Sequence, residues 1–352
     1  MIIRGLLNSI AIMGLLSLPL MAQISSHLDW TKLPQRCNSC HVSHGVPGTT
    51  LLPIAGDDFC FQCHGDSTEV TRAINEGKLS PTVRMKNLRT VFRKASRHPT
   101  FSALTTGRIS LRGGRFGHGS RTTCLDCHSG HGRSPAASAA GPLPKRSPKN
   151  EDEFEYQLCY RCHARVNPFS FARLDIPSRT SATNPSYHPI EAPGRNPEVP
   201  SLKPPYNVGS RINCTDCHNN SDPAGPRGPH GSDYEYLLTA EYNTNDYLPE
   251  SPQHYALCYK CHSRESILGD ESFPYHRQHI VEVRTSCATC HDAHGSQLNA
   301  HLIRFNDGSD PLRIKANRSG RLEFVDQGRL AGACFLNCHG VEHAPRSYLN
   351  LK

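Results

Sequence analysis

Apolar positions are bunched at the start of the chain and scattered after it. Met1–Arg4 supplies a short positive region, and Gly5–Leu20 is apolar apart from Asn8, Ser9 and Ser17. Leu20-Met21-Ala22 then offers a cleavage site before Gln23. Residues 1–22 read as a secretory signal peptide removed on export, because the run is short for its rival, an uncleaved anchor. No cysteine near the site supports a lipid anchor, and no later segment is apolar enough to span a membrane. Beyond residue 23, helical stretches are expected to be short, such as Glu153–Ala164 and His254–His262, and alternating strand patterns are few. The Pro-rich stretches Pro142–Lys149 and Pro189–Pro205 read as surface loops. The expected fold is mostly coil with short α-helices and little or no β-sheet.

Composition sharpens that expectation. Only 36% of residues are hydrophobic, while Gly and Pro contribute 27 each. Side chains this poor in apolar surface cannot readily offset the entropy of ordering the backbone. Either something else supplies apolar surface or the chain is disordered.

The sixteen cysteines indicate what supplies it. They fall into eight pairs, each followed at once by histidine. Seven are C-x-x-C-H: Cys37-Cys40-His41, Cys60-Cys63-His64, Cys124-Cys127-His128, Cys159-Cys162-His163, Cys214-Cys217-His218, Cys258-Cys261-His262 and Cys287-Cys290-His291. The eighth, Cys334-Cys338-His339, has one extra residue. Histidine is 21 of 352 residues. Eight trailing histidines by chance then have odds on the order of one in ten billion for this attachment signature of c-type haem. Two thiols at i and i+3 lie on one side of a helical turn. They can form thioethers to the vinyl groups of one porphyrin, and the next residue falls under the iron as its proximal ligand. Zinc does not require a histidine after every second cysteine, and disulfides do not require one at all. Eight c-type haems are therefore expected, with His41, His64, His128, His163, His218, His262, His291 and His339 as proximal ligands.

The motifs alternate between two kinds. The first kind is followed by His44-Gly45, His131-Gly132, His230-Gly231 or His294-Gly295; the second has Phe61, Tyr160, Tyr259 or Phe335 after its first cysteine. This divides the mature chain into four haem-pair units, residues 23–95, 96–185, 186–270 and 271–352. The run Cys124-Leu125-Asp126-Cys127-His128-Ser129-Gly130-His131-Gly132, followed by Leu158-Cys159-Tyr160-Arg161-Cys162-His163, resembles the doubled C-x-x-C-H family of multihaem cytochromes. The resemblance extends over essentially the whole mature chain. It implies an extended fold organised around a stack of close-packed haems, and electron transfer. Phe273-Pro274-Tyr275-His276-Arg277-Gln278-His279 is similar to a segment of the small tri- and tetrahaem periplasmic cytochromes. That similarity implies that His276 and His279 ligate two different haems.

Each iron needs a second axial ligand or an open site. Of four methionines, three (Met1, Met13, Met21) leave with the signal peptide and only Met85 remains, so at most one haem can be His/Met. Bis-His ligation follows from supply. The four His-Gly histidines, His44, His131, His230 and His294, recur once per unit. His98 and His188 are each followed by Pro and each precede the next unit's first cysteine by 26 residues. His27 stands before Cys37. With His276 and His279 these make nine distal candidates for eight places; His118, His254, His301 and His343 are left as surface or propionate-contacting histidines.

The formal charge of +8 and the basic stretch Arg84–Arg97 invite a nucleic-acid reading. Two propionates on each haem more than offset that charge, and no nucleic-acid motif is present. The sequence therefore predicts an exported, non-enzymatic electron carrier in the periplasm or at the cell surface. It would pass electrons between periplasmic donors and outer-membrane or extracellular acceptors. Redox proteins are its expected partners, with a homopolymer or an outer-membrane porin–cytochrome complex as the assembly. The alternative is a reductase of nitrite, hydroxylamine or a sulfur oxyanion, with one haem lacking a distal ligand.

Overall fold

The computed structural model describes residues 26–100, 122–128, 130–131, 154–164, 175–305, 314–328 and 330–349. The signal segment, Pro142–Lys149 and His118 lie outside them. Among the described residues the chain is mostly coil, with helices of nine residues at most. No helix there is long and apolar enough to cross a membrane.

Helices form where a motif or a cap dictates one. The segments Asp58–His64 and Glu155–His163 carry the second and fourth motifs. One-turn helices at Cys124–Cys127, Cys214–Cys217 and Cys287–Cys290 carry the third, fifth and seventh. Ser67–Asn75 is the main helix without a motif. Its Asp66 side chain accepts from the Thr68 and Glu69 amides, and the Glu69 carboxylate accepts from the Asp66 amide at 2.8 Å. Arg89 clamps the same carboxylate at 2.6–2.9 Å, tying this helix to Leu88–Val91. The guanidinium holds the Glu69 carboxyl below its ordinary value of 4.5. A carboxyl depressed in the folded state contributes stability above its unfolded pKa and loses it as pH falls through the folded value. Glu69→Gln keeps the cap acceptor but removes the charge. A loss of about 1–2 kcal/mol is expected at pH 7, shrinking below pH 4.5. Thermal melts of the two forms across pH check this.

Four two-residue strands, β1 (Ser96–Arg97), β2 (Ser186–Tyr187), β3 (Gly231–Ser232) and β4 (Gly295–Ser296), make two short antiparallel ladders, β1 with β3 and β2 with β4. The register pairs Arg97 with Gly231 and Tyr187 with Gly295. A Cβ at Gly231 would overlap the Val91 carbonyl, and one at Gly295 would overlap the Arg179 carbonyl. The glycine of the His-Gly signature is thus the residue that lets two chains cross closely.

The C-terminal region adds a small antiparallel sheet to this mostly coil fold. Strands β5 (Ile314–Lys315), β6 (Glu323–Asp326), β7 (Ala331–Cys338) and β8 (Val341–Leu349) form a four-stranded antiparallel sheet with β7 central. Phe305, Ile314, Phe324 and Leu336 form its small core. The other cluster of buried apolar side chains is Leu33, Ala73 and Leu79. Between these two the described chain holds no large aliphatic core, so most of its shape depends on what the cysteine–histidine motifs hold.

The basic stretch Arg84–Arg97 is largely used internally. Lys86 donates to the Ala224 and Gly225 carbonyls, and Lys94 to Asn220, Ser221 and Asp233, at 2.6–3.0 Å. These bonds pin the Pro- and Gly-rich insertion that separates His218 from His230.

Candidate haem sites

Seven motifs share one local geometry, a tight turn that closes on its first cysteine. The amide of the trailing histidine donates to that cysteine's carbonyl in His41→Cys37, His128→Cys124, His218→Cys214, His262→Cys258 and His291→Cys287, at 2.8–3.0 Å. His64 and His163 end the helices that carry their own cysteines. A helical rise brings residues i and i+3 within about 5 Å along the axis, which places both thiols on one side of the turn.

Each of these seven histidines faces a second imidazole from a distant part of the chain. Ring centres are 5.9 Å apart for His64–His27 and His128–His230, 6.0 Å for His41–His131 and 6.2 Å for His218–His294. They are 6.3 Å apart for His163–His98, 6.4 Å for His291–His276 and 6.5 Å for His262–His188. Imidazole nitrogens bind a transition metal at about 2.0 Å, so two rings on opposite sides of one iron have centres about 6 Å apart. The seven separations match that span. The residues fit haem.

Hydrogen bonds set which nitrogen faces the gap. Nδ1 donates to a backbone carbonyl in His41 (Thr50, 3.0 Å), His98 (Pro229, 2.7 Å), His218 (Tyr236, 2.7 Å) and His291 (His301, 3.0 Å), and in His188 to Ala293. A carbonyl only accepts, so the proton is on Nδ1 and the Nε2 lone pair is left for a metal. Burial favours the same neutral form. It lowers His64, His230 and His262 to about 4 and His276 to about 3.

The pairing follows a rule that crosses the four units. Each His-Gly histidine after the first faces the first motif of the preceding unit: His131 to His41, His230 to His128, His294 to His218. Each of His27, His98 and His188 faces the second motif of the unit it opens. The two kinds of donor are tied together. His98 and His188 bond the carbonyl just before His230 and His294, and His27 bonds the Gly130 backbone just before His131. The ladders β1–β3 and β2–β4 are the backbone of two of these clamps.

The cysteines give the order in space. Cys40 lies beside Cys60, and Cys60 shares a side-chain hydrogen bond with Cys124. Cys127 lies near Cys162, Cys159 shares a side-chain hydrogen bond with Cys214, and Cys217 lies near Cys261. Cys258 neighbours Cys287, and Cys290 neighbours Cys334 and Cys338. The motifs are therefore arranged in chain order, each next to the one before.

Comparison with known proteins agrees with this geometry. Residues 120–302 match the family described as outer membrane cytochrome MtrC/MtrF-like, domains II/IV, which is more than half of the chain. The chain belongs to that family. Residues 33–69 also match the doubled CXXCH motif. No curated protein and no solved structure matches. The protein is a multihaem c-type cytochrome of electron transfer, with covalent haem attached through its CXXCH motifs.

Three sequence-predicted site residues of this cytochrome are placed differently from the rest. His44 has the His-Gly signature but is exposed, and it faces no histidine ring among the described residues. The rule above explains this, because His44 belongs to the first unit. His279 donates from Nδ1 to the Tyr275 carbonyl at 2.7 Å and packs on Phe273, while His276 alone takes the place opposite His291. His339 faces Tyr247, with ring centres 4.9 Å apart, and not a histidine. Tyr247 and Asp246, its neighbours, are residues that the sequence did not single out. Of the histidines left outside the ligand set, His254 bonds the Pro249 carbonyl at 2.9 Å and His301 lies 3.9 Å from Asp326.

Proposed function

We propose that this cytochrome is an exported electron carrier, relaying between periplasmic donors and outer-membrane or extracellular acceptors through a line of bis-His haems. The observation that carries this reading is the row of seven imidazole pairs at 5.9–6.5 Å, arranged in motif order. In it, Cys37 to Cys290 hold the porphyrins, seven motif histidines are proximal ligands, and His131, His27, His230, His98, His294, His188 and His276 are distal ligands in motif order. Each bound iron would supply a one-electron carrier, cycling between ferric and ferrous. Nδ1–carbonyl hydrogen bonds leave the Nε2 lone pairs of His41, His98, His188, His218 and His291 for a metal, and the second imidazole of each pair would compete with any substrate for a bound iron. That arrangement suits outer-sphere transfer and does not suit reduction of a bound oxyanion. The family's outer-membrane description supports a redox partner in a porin–cytochrome complex, with a homopolymer as the other assembly.

The reading is tested on the purified holoprotein. Reduced protein is expected to bind no carbon monoxide and to turn over neither nitrite nor hydroxylamine, and a redox titration is expected to spread over negative potentials. Carbon monoxide binding at one of the seven sites, with nitrite turnover, would replace the carrier with a reductase.

A further inference from the structure

The eighth motif is built differently from the other seven. Cys334 and Cys338 lie within one strand, β7, whose neighbour β8 pairs with it from Ala331↔Leu349 to Cys338↔Val341. The link between the strands is His339-Gly340, at φ 50° and 84°. Positive φ at both central residues is the signature of a type I′ hairpin turn. A strand rises about 3.3 Å per residue, so the two cysteines stand about 13 Å apart along β7. The other pairs are drawn together by a helical turn. Two vinyl groups on adjacent rings of one porphyrin cannot be reached by thiols so far apart.

Three further observations agree. Both ring nitrogens of His339 are engaged: Nδ1 with the Tyr247 hydroxyl at 2.6 Å and Nε2 with the Asp246 carboxylate at 3.3 Å. Cys334 and Cys338 pack against the apolar cluster of Phe305, Ile314, Phe324 and Leu336, as small hydrophobes do. And no histidine among the described residues faces His339 in the way that His27, His98 and His188 face the other second-kind motifs; His276 faces the seventh motif instead.

We propose that Cys334, Cys338 and His339 form a structural hairpin and not a haem attachment site. The covalent haems then number seven, and the line ends at His291 beneath the C-terminal sheet. The proposal rests on the seven-site reading above. The test is intact mass of denatured holoprotein, with iodoacetamide alkylation after reduction and peptide mapping. Seven haems are expected, with alkyl groups on Cys334 and Cys338 alone. Eight haems, or haem on the peptide containing Cys334, would overturn the hairpin assignment and leave electron transfer standing; no covalent haem would overturn both. A second arm uses Cys334→Ser/Cys338→Ser. Its haem absorbance per chain should equal that of the parent, and loss of one haem's share would contradict the assignment.

Discussion

Chain produced without haem attachment is expected to be unfolded, with no cooperative thermal transition and amide exchange near the rate of a free peptide. The described core explains why. Its two apolar clusters hold four and three buried residues, at the two ends of the motif line. Between them the buried apolar side chains, such as Phe61, Phe92, Tyr187, Leu238 and Tyr255, are scattered among partly buried thiols and imidazoles. Burial pushes Cys127 and Cys217 up to about 11, Cys258 and Cys290 up to about 12, and His64, His230 and His262 down to about 4. Burying such polar groups costs free energy unless they are bonded, and burying them against a porphyrin edge and an iron makes cofactor binding part of the folding free energy. The loss should exceed the roughly 5–15 kcal/mol by which a native domain is stable. Circular dichroism and hydrogen exchange on chain secreted without haem lyase activity would check this. A sharp melt with native-like exchange protection would show that the side chains suffice.

Replacing one distal histidine with methionine is expected to raise one haem's potential and leave the others nearly unchanged. His294→Met is the clearest case. Its ring lies parallel to His218, 4° from coplanar at 6.2 Å, and Gly295 pins it in the β2–β4 ladder. Methionine in place of an imidazole should raise that site by on the order of 0.1–0.2 V, within the about 0.8 V that axial ligands control. His44→Met makes the same change at the same signature, and no shift is expected, because His44 is exposed and faces no ring among the described residues. Potentiometric titration of both variants separates the two readings of the His-Gly pattern. Equal shifts would mean that the signature alone marks a ligand.

Much of this was legible in the sequence, and the limits have physical causes. The coil-rich fold with short helices followed from scattered apolar positions and abundant Gly and Pro. The motif spacing showed the haem chemistry because thioether geometry depends on local turns alone. Partner assignment was not legible, because the rule is relational: a His-Gly histidine faces a motif of the unit before its own, so His44 and His131 look identical in sequence and differ only in what precedes them. His276 and His279 looked equivalent for the same reason, being three residues apart in one turn-rich segment. The C-terminal sheet was hidden by its own motif. Ala331–Cys338 has no apolar–polar alternation to mark a strand, its burial running through consecutive residues, and its Cys-His ending reads as a haem site. Tyr247, which occupies one nitrogen of His339, carried no signal, since a lone tyrosine in a loop has no pattern to mark it.

In the holoprotein a line of irons is expected to run through the chain in motif order, each between two named imidazoles. Diffraction from its crystals at the iron absorption edge would show this. Seven iron peaks are expected in one line, lying between His41 and His131, His64 and His27, His128 and His230, His163 and His98, His218 and His294, His262 and His188, and His291 and His276. An iron bound to a different pair of these histidines, or a line whose order departs from the order of the motifs, would contradict the account.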